Sequence, residues 1–167
     1  MMNLSMTDER KKFIYFIGPQ IEETAQLVMY ENQNIKIKSL NDFKNIAGKI
    51  GYQKGTFLGK AFEEKFRTDS AFRDKFEIIH TDELNIKKLQ IKRIIGMISQ
   101  NYGGVTIYSE YNKLKQFKIH PFVIHRNWVY FGFSKKSVSK NMLIRFQKAY
   151  KKAKLKGKFK KIIESYK

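Results

Sequence analysis

The 167 residues include no cysteine, two prolines and only 15 acidic side chains against 34 lysines and arginines. Without cysteine there is neither a disulfide framework nor a thiolate zinc site, and the compartment stays open. No run approaches the ~18 consecutive apolar residues of a membrane span. The first ten residues, Met1 to Arg10, lack the basic end and apolar stretch of a signal peptide. The three histidines, His80, His120 and His125, are too scattered in sequence to form a metal set, so no metal or cofactor is expected. No Ser-His-Asp or Cys-His constellation is visible, and the chain reads as a non-enzyme. There is no internal repeat and no low-complexity linker.

What the chain does hold is enough apolar material for a core: 42% hydrophobic and 14% aromatic residues. Its length suits one domain, or one domain and a fragment. The formal charge of +19 favours anionic partners, and residues 135–167 hold 12 Lys, one Arg and one Glu. A basic nucleic-acid-binding module is the alternative this charge suggests. A solvated lysine-rich helix is the plainer reading, because Lys reads phosphates and bases less well than Arg.

The stretch Lys49 to Phe62 organises the rest. Ile50 and Tyr52 have strand spacing, Gly55 permits a tight turn, and Thr56 is placed as the N-cap of a helix from Phe57 to Phe66. Such a helix tip offers free N–H groups to a carboxylate or phosphate. Upstream, Asn3 to Ser5 is too short to count as an element, and Thr7 caps a polar turn. Phe13–Ile17 is an apolar run stopped by Gly18-Pro19, and Thr24–Tyr30 is strand-like. Ser39 caps a short helix over Leu40–Ile46. Downstream, Phe76–Ile79 reads as a strand, Asp82 opens a helix ending near Lys92, and Ile94–Ile98 suits a strand covered on both faces. A helix from Gly103-Gly104 to Leu114 is less distinct. Phe117–Ile124, broken by Pro121, and Trp128–Phe133 read as two strands. Ser139 caps the longest helix, Asn141–Leu155, Gly157 ends it, and Phe159–Tyr166 is a last short helix. Strands alternating with helices imply βαβ units, a parallel sheet, and a ligand edge at the carboxyl ends of the strands. The loops Gln53–Phe57 and Ser99–Tyr102 belong to that edge.

In order, Thr7-Asp8-Glu9-Arg10 with Phe13–Pro19, Ile37–Phe43, the turn Lys49–Thr56, Arg93–Ile98, Val129–Lys136 and Gly157–Tyr166 resemble the family 3 extracellular solute-binding proteins of bacterial ABC importers. The resemblance implies an α/β, periplasmic-binding-protein-like fold with one complete doubly wound lobe and an incomplete second lobe. Residues 1–30 are then the remnant of the first lobe with the first hinge strand. Residues 31–118 are the second lobe, and 119–167 the return hinge and C-terminal helices of the first. It implies an N-terminally truncated solute-binding component that closes on a small polar ligand, an amino acid, in an interlobe cleft. It further implies ABC transporter membrane subunits as partners, no specific nucleic acid, and a periplasmic or extracellular location. Phe13–Ile17 and the Asn141–Leu155 helix would lack their usual cover, leaving exposed apolar surface and, with it, a homodimer through the incomplete lobe, exchange with a second chain, or poor stability.

The same resemblance supplies the binding residues. Arg10 matches an arginine that forks onto the ligand's α-carboxylate, a task suited to paired donors. Ser5 matches a neighbouring hydroxyl, and Asn3 stands where the family usually has a glycine. Thr56 and Phe57 match the helix tip that meets the carboxylate from the other lobe, with Gln53 beside it. Gln100 falls where the family places an aspartate for the ligand's ammonium. An amide cannot neutralise a cation, so a neutral or anionic ligand, or none, stays open.

Overall fold

The computed structural model describes residues 3–100 and 117–165. The chain divides into two compact units, Met1–Glu23 with Asn127–Lys167, and Thr24–Arg126. Two long strands, β2 (Ile14–Tyr30) and β6 (Phe117–Ser134), each belong to both units.

The second unit is built on β3 (Ile50–Gln53), β4 (Phe76–Ile79) and β5 (Gly96–Gln100). β3 runs parallel to β4 and to β5, with Ile50 opposite Phe76 and Gly96, while β5 is antiparallel to β2 through Ala25↔Gln100 to Met29↔Gly96. Helices α2 (Lys60–Thr68) and α3 (Ser70–Arg73) join β3 to β4, and α4 (Asp82–Gln90) joins β4 to β5. Alternate strand positions feed two cores. Ile50, Tyr52, Ile98, Leu27 and Met29 pack with Phe43, Phe62, Phe72 and Phe76 on one face. Val28 and Met97 pack with Ile86, Leu89 and Ile94 beneath α4 on the other. The first core is aromatic, with the Phe72 and Phe76 rings 5.0 Å apart and Phe62 5.3 Å from each. Double coverage is what a parallel sheet made by crossovers requires.

The first unit holds β1 (Leu4–Ser5), a two-residue strand paired antiparallel with β6 through Leu4↔Tyr130 and Ser5↔Val129. It also holds α1 (Asp8–Lys11), α5 (Lys140–Leu155) and α6 (Lys158–Glu164). Ser139 Oγ accepts from Met142 N at 3.3 Å and starts α5, while Gly157, at φ +64°, turns the chain into α6. The Tyr150 hydroxyl of α5 donates to the Pro19 carbonyl at 2.7 Å.

Several expected boundaries move. Gly18-Pro19 does not stop a strand: β2 runs through it, with Gly18 pressed against Tyr130 and Pro19 still offering its carbonyl. Pro121 does not break β6 either; it is exposed, and the next amide, Phe122 N, donates to His120 Nδ1 at 3.0 Å. Leu40–Asn45 is a 3₁₀ rather than an α-helix. Its three-residue repeat sets Leu40, Phe43 and Ile46 on one face, and Asp42 accepts the Lys38 and Ser39 amides at 2.7 and 2.8 Å. β5 starts at Gly96 instead of Ile94, because the amides of Lys92 and Arg93 close the end of α4 onto the Leu89 and Lys88 carbonyls. The helix after β3 starts at Lys60 with Gly59 as N-cap, three residues later than the expected Phe57 with Thr56 as cap. β1 is an element after all, held by its pairing with β6. The expected helix between Gly103 and Leu114 lies outside the described residues.

Two outcomes follow from this packing. A Cβ on Gly51 would collide with Asn85 Oδ1 and approach Ile94 Cδ1 to 2.9 Å, so Gly51→Ala lowers unfolding stability by about 1–3 kcal/mol in denaturant titration. Glu23 is 7% exposed, and burial pushes its carboxyl up to about 7 from an ordinary 4.5. Because the folded-state value is raised, this residue costs nothing below pH 4.5 and increasingly destabilises the fold as pH rises to about 7. Glu23→Gln therefore flattens the stability–pH curve in that window, by on the order of 3 kcal/mol.

Candidate functional site

The carboxyl ends of β3, β4 and β5 lie on one edge of the second unit, because the three strands are parallel. That edge carries Gln53, whose Nε2 donates to the His80 carbonyl at 3.3 Å, and Gln100, opposite Ala25 on β2. After Gln53 the chain turns through Gly55, at φ +83°, and Thr56 N closes the turn onto the Gln53 carbonyl at 3.3 Å. The Tyr52 hydroxyl reaches up from the sheet and donates to the Thr56 carbonyl at 2.8 Å. Burial, then the nearby Glu63, pushes this phenol up to about 12, so it stays a donor. The turn is thus fixed from below by a core residue.

Phe57 stands edge-on to His125, with ring centroids 5.2 Å apart at 86°. The same imidazole lies over Gly59, where a Cβ would meet Nδ1 at 2.5 Å. Burial lowers the His125 pKa and favours the neutral ring, whose Nε2 is buried without a hydrogen-bond partner. The free amides of the helix tip therefore start at Gly59, under His125, rather than at Thr56 and Phe57. Sequence reading missed both residues. The available signal was a glycine inside the apolar stretch Phe57–Phe62, a residue type that serves about as well as threonine at an N-cap.

In the first unit, Thr7 Oγ1 accepts from Arg10 N at 3.2 Å and caps the single turn of α1. Arg10 Nη1 donates to the Ser5 carbonyl at 3.0 Å, and Ser5 Oγ accepts from Asn127 Nδ2 at 2.7 Å. Ser5 and Arg10 are therefore brought together, through a backbone oxygen. Arg10 has no ion-pair partner among the described residues, and the guanidinium has donors beyond the one Ser5 uses. A guanidinium fixed by one nitrogen and unpaired at the others suits a carboxylate. Gln53, Thr56 and Phe57 are likewise brought together in the second unit, with Gln100 on the neighbouring strand β5.

A depression of about 530 Å³ in the second unit is lined by Tyr30, Glu31, Asn32, Gln33, Lys92, Ile94 and Ile95. It lies at the opposite edge of the sheet and includes none of the expected residues. Among the described residues no group of three or more His, Asp or Glu could hold a metal, and no helix is long and apolar enough to cross a membrane.

The fold is α/β and periplasmic-binding-protein-like, matched over 98% of this chain and 66–68% of the solved structures. Solved structures that it resembles include amino-acid-binding proteins. A mutant of ArgBP from T. maritima matches with a TM-score of 0.75 at 17% identity, covering 98% of this chain and 66% of that one. An ancestral arginine-binding protein bound to arginine matches with a TM-score of 0.75 at 22% identity, covering 98% and 68%. The ancestral amino acid-binding protein AncCDT-1, a precursor of cyclohexadienyl dehydratase, matches at 0.72 and 21%, covering 98% and 66%. The chain thus spans about two thirds of the length of these proteins. No protein-family profile and no curated protein sequence matches it.

The turn before α2 gives a graded test. Gly55 and Gly59 both have positive φ, but a Cβ on Gly55 meets nothing within 4 Å whereas one on Gly59 meets His125. Gly55→Ala costs about 1 kcal/mol of stability from backbone strain alone, and Gly59→Ala costs about 3 kcal/mol, as read from urea midpoints.

Proposed function

We propose that this protein is a solute-binding component of an ABC importer that captures a small polar ligand, an amino acid. The observation that carries the reading is the fold, matched over 98% of the chain to proteins whose own descriptions name arginine and glutamine as bound ligands. In this reading Arg10 receives the ligand's carboxylate with Ser5 beside it. Within the second unit the candidate ligand contacts are Gln53, Thr56, Phe57 and the amides starting at Gly59. Gln100 accepts from the ligand's ammonium without neutralising it, which favours ligands that carry little net positive charge. The chemistry is capture and release: binding shifts an equilibrium of conformations that the membrane subunits sense, with no bond made or broken. The site of action is periplasmic or extracellular. No feature of the structure adds to the nucleic-acid reading, which rests on charge alone.

A thermal-shift panel of the twenty amino acids tests this. At least one raises the melting temperature in a concentration-dependent way, as mass action on the folded state requires. Arg10→Ala abolishes that shift, while Gln100→Asp strengthens it for zwitterionic ligands. A flat panel in the parent protein, confirmed by calorimetry, removes the receptor reading.

A further inference from the structure

The depression at the opposite edge of the second unit lies between two short segments. One is the turn that follows β2, and the other is the link from α4 to β5. Both are pinned. Tyr30 N donates to Gln33 Oε1, and Gln33 N donates to the Tyr30 carbonyl, each at 3.1 Å. The Tyr30 hydroxyl donates to the Leu89 carbonyl and ties the turn to the end of α4. Lys92 N and Arg93 N close onto the Leu89 and Lys88 carbonyls, and Ile95 N donates to the Lys49 carbonyl, all at 2.9 Å. A depression of about 530 Å³ with walls fixed in this way falls within the roughly 300–1,000 Å³ of small-molecule sites.

Its chemistry is uneven. Ile94 is buried and Tyr30 and Ile95 are partly buried, whereas Glu31 and Lys92 are exposed, so the base is apolar and the rim is charged. Glu31 and Lys92 bring opposite charges to one depression, yet among the described residues neither forms an ion pair, with the other or with any third group. The neighbouring cations Lys88 and Arg93 are both held by Glu77. Gln33 has its Oε1 engaged and keeps Nε2 to donate. Lys92 itself sits at φ +58°, just past α4, where glycine closes a helix without strain. A lysine at such a position costs stability. What it adds, and glycine could not, is an ammonium on the wall of the depression.

We propose that this depression is a second binding site, for a small zwitterion with a compact aliphatic group. Glu31 receives the ligand's ammonium, and Lys92 receives its carboxylate with Gln33 Nε2 donating beside it. Ile94 and Ile95 cover the aliphatic part. The site goes beyond the solute-binding reading at the carboxyl edge of the sheet, shares no residue with it and stands without it.

The test follows the backbone amide signals of the full 167-residue chain by nuclear magnetic resonance during titration with L-leucine. The signals of Gln33, Lys92 and Ile95 shift saturably, with the same affinity in the parent and in Arg10→Ala, so failure of the carboxyl-edge reading leaves this result untouched. Lys92→Gly weakens leucine binding at least fivefold while raising the urea midpoint, a pairing that a purely structural lysine would not give. Glu31→Gln weakens it to a similar degree with the midpoint unchanged. 4-Methylpentanoate, which lacks the ammonium, and 3-methylbutylamine, which lacks the carboxylate, each bind at least tenfold more weakly than leucine. Shifts confined to Gln53 and Gln100, or shifts that do not saturate, overturn the proposal. So do a singly charged probe that binds as tightly as leucine, an unchanged affinity in either variant, and a lower urea midpoint for Lys92→Gly.

Discussion

A sheet with no free face is the constraint on which the second unit depends. β3 and β5 are packed from both sides, so successive residues alternate between an aromatic core and the underside of α4. Gly51 is the sharpest expression of this. Between Ile50 and Tyr52, which face the aromatic side, it must face α4, where Asn85 leaves room for no side chain. The residues at the carboxyl edge inherit their positions from this arrangement. Gln53 and Gln100 end strands whose interiors cannot slip, since a one-residue shift would carry every buried side chain to the wrong core. Tyr52 transmits the same rigidity to the turn above it, through its bond to the Thr56 carbonyl.

Much of this was legible in the sequence, and the failures share a cause. Ser139, Gly157 and Phe76–Ile79 were readable because each depends on neighbours in sequence: a hydroxyl three residues before an amide, a glycine after a helix, an isolated apolar run. Gly18-Pro19 and Pro121 misled because local rules treat proline as a break, whereas here a distant residue decides. Tyr130 fills the space beside Gly18, and β6 carries on past an exposed Pro121. The start of α2 failed for a related reason. Thr56 is a good local cap, but its turn is held by Tyr52, and the glycine that begins the helix lies under His125, a residue 66 positions away. The candidate site shows the same division. Arg10 on a capped turn was readable from Thr7 onward, while the link from Ser5 to Asn127 spans 122 positions and has no sequence signature.

The comparison with solved structures makes the point in another form. At 17–22% identity the match still reaches TM-scores of 0.75, so the likeness is one of fold rather than of sequence. The net charge of +19 is similarly independent of the architecture: it is concentrated beyond β6, on α5 and α6, where side chains are exposed and lysine costs the fold little.

β2 and β6 each pass from one unit to the other, at Glu23/Thr24 and Arg126/Asn127, so one unit is nested inside the other in chain order. During synthesis the nested unit emerges whole before its host has received Asn127–Lys167. It can therefore close around its aromatic core while Leu4, Ser5 and Arg10 still await the strand and the asparagine that will hold them. The order of assembly is thus written into the connectivity: the nested unit first, its host only when Asn127–Lys167 has also left the ribosome.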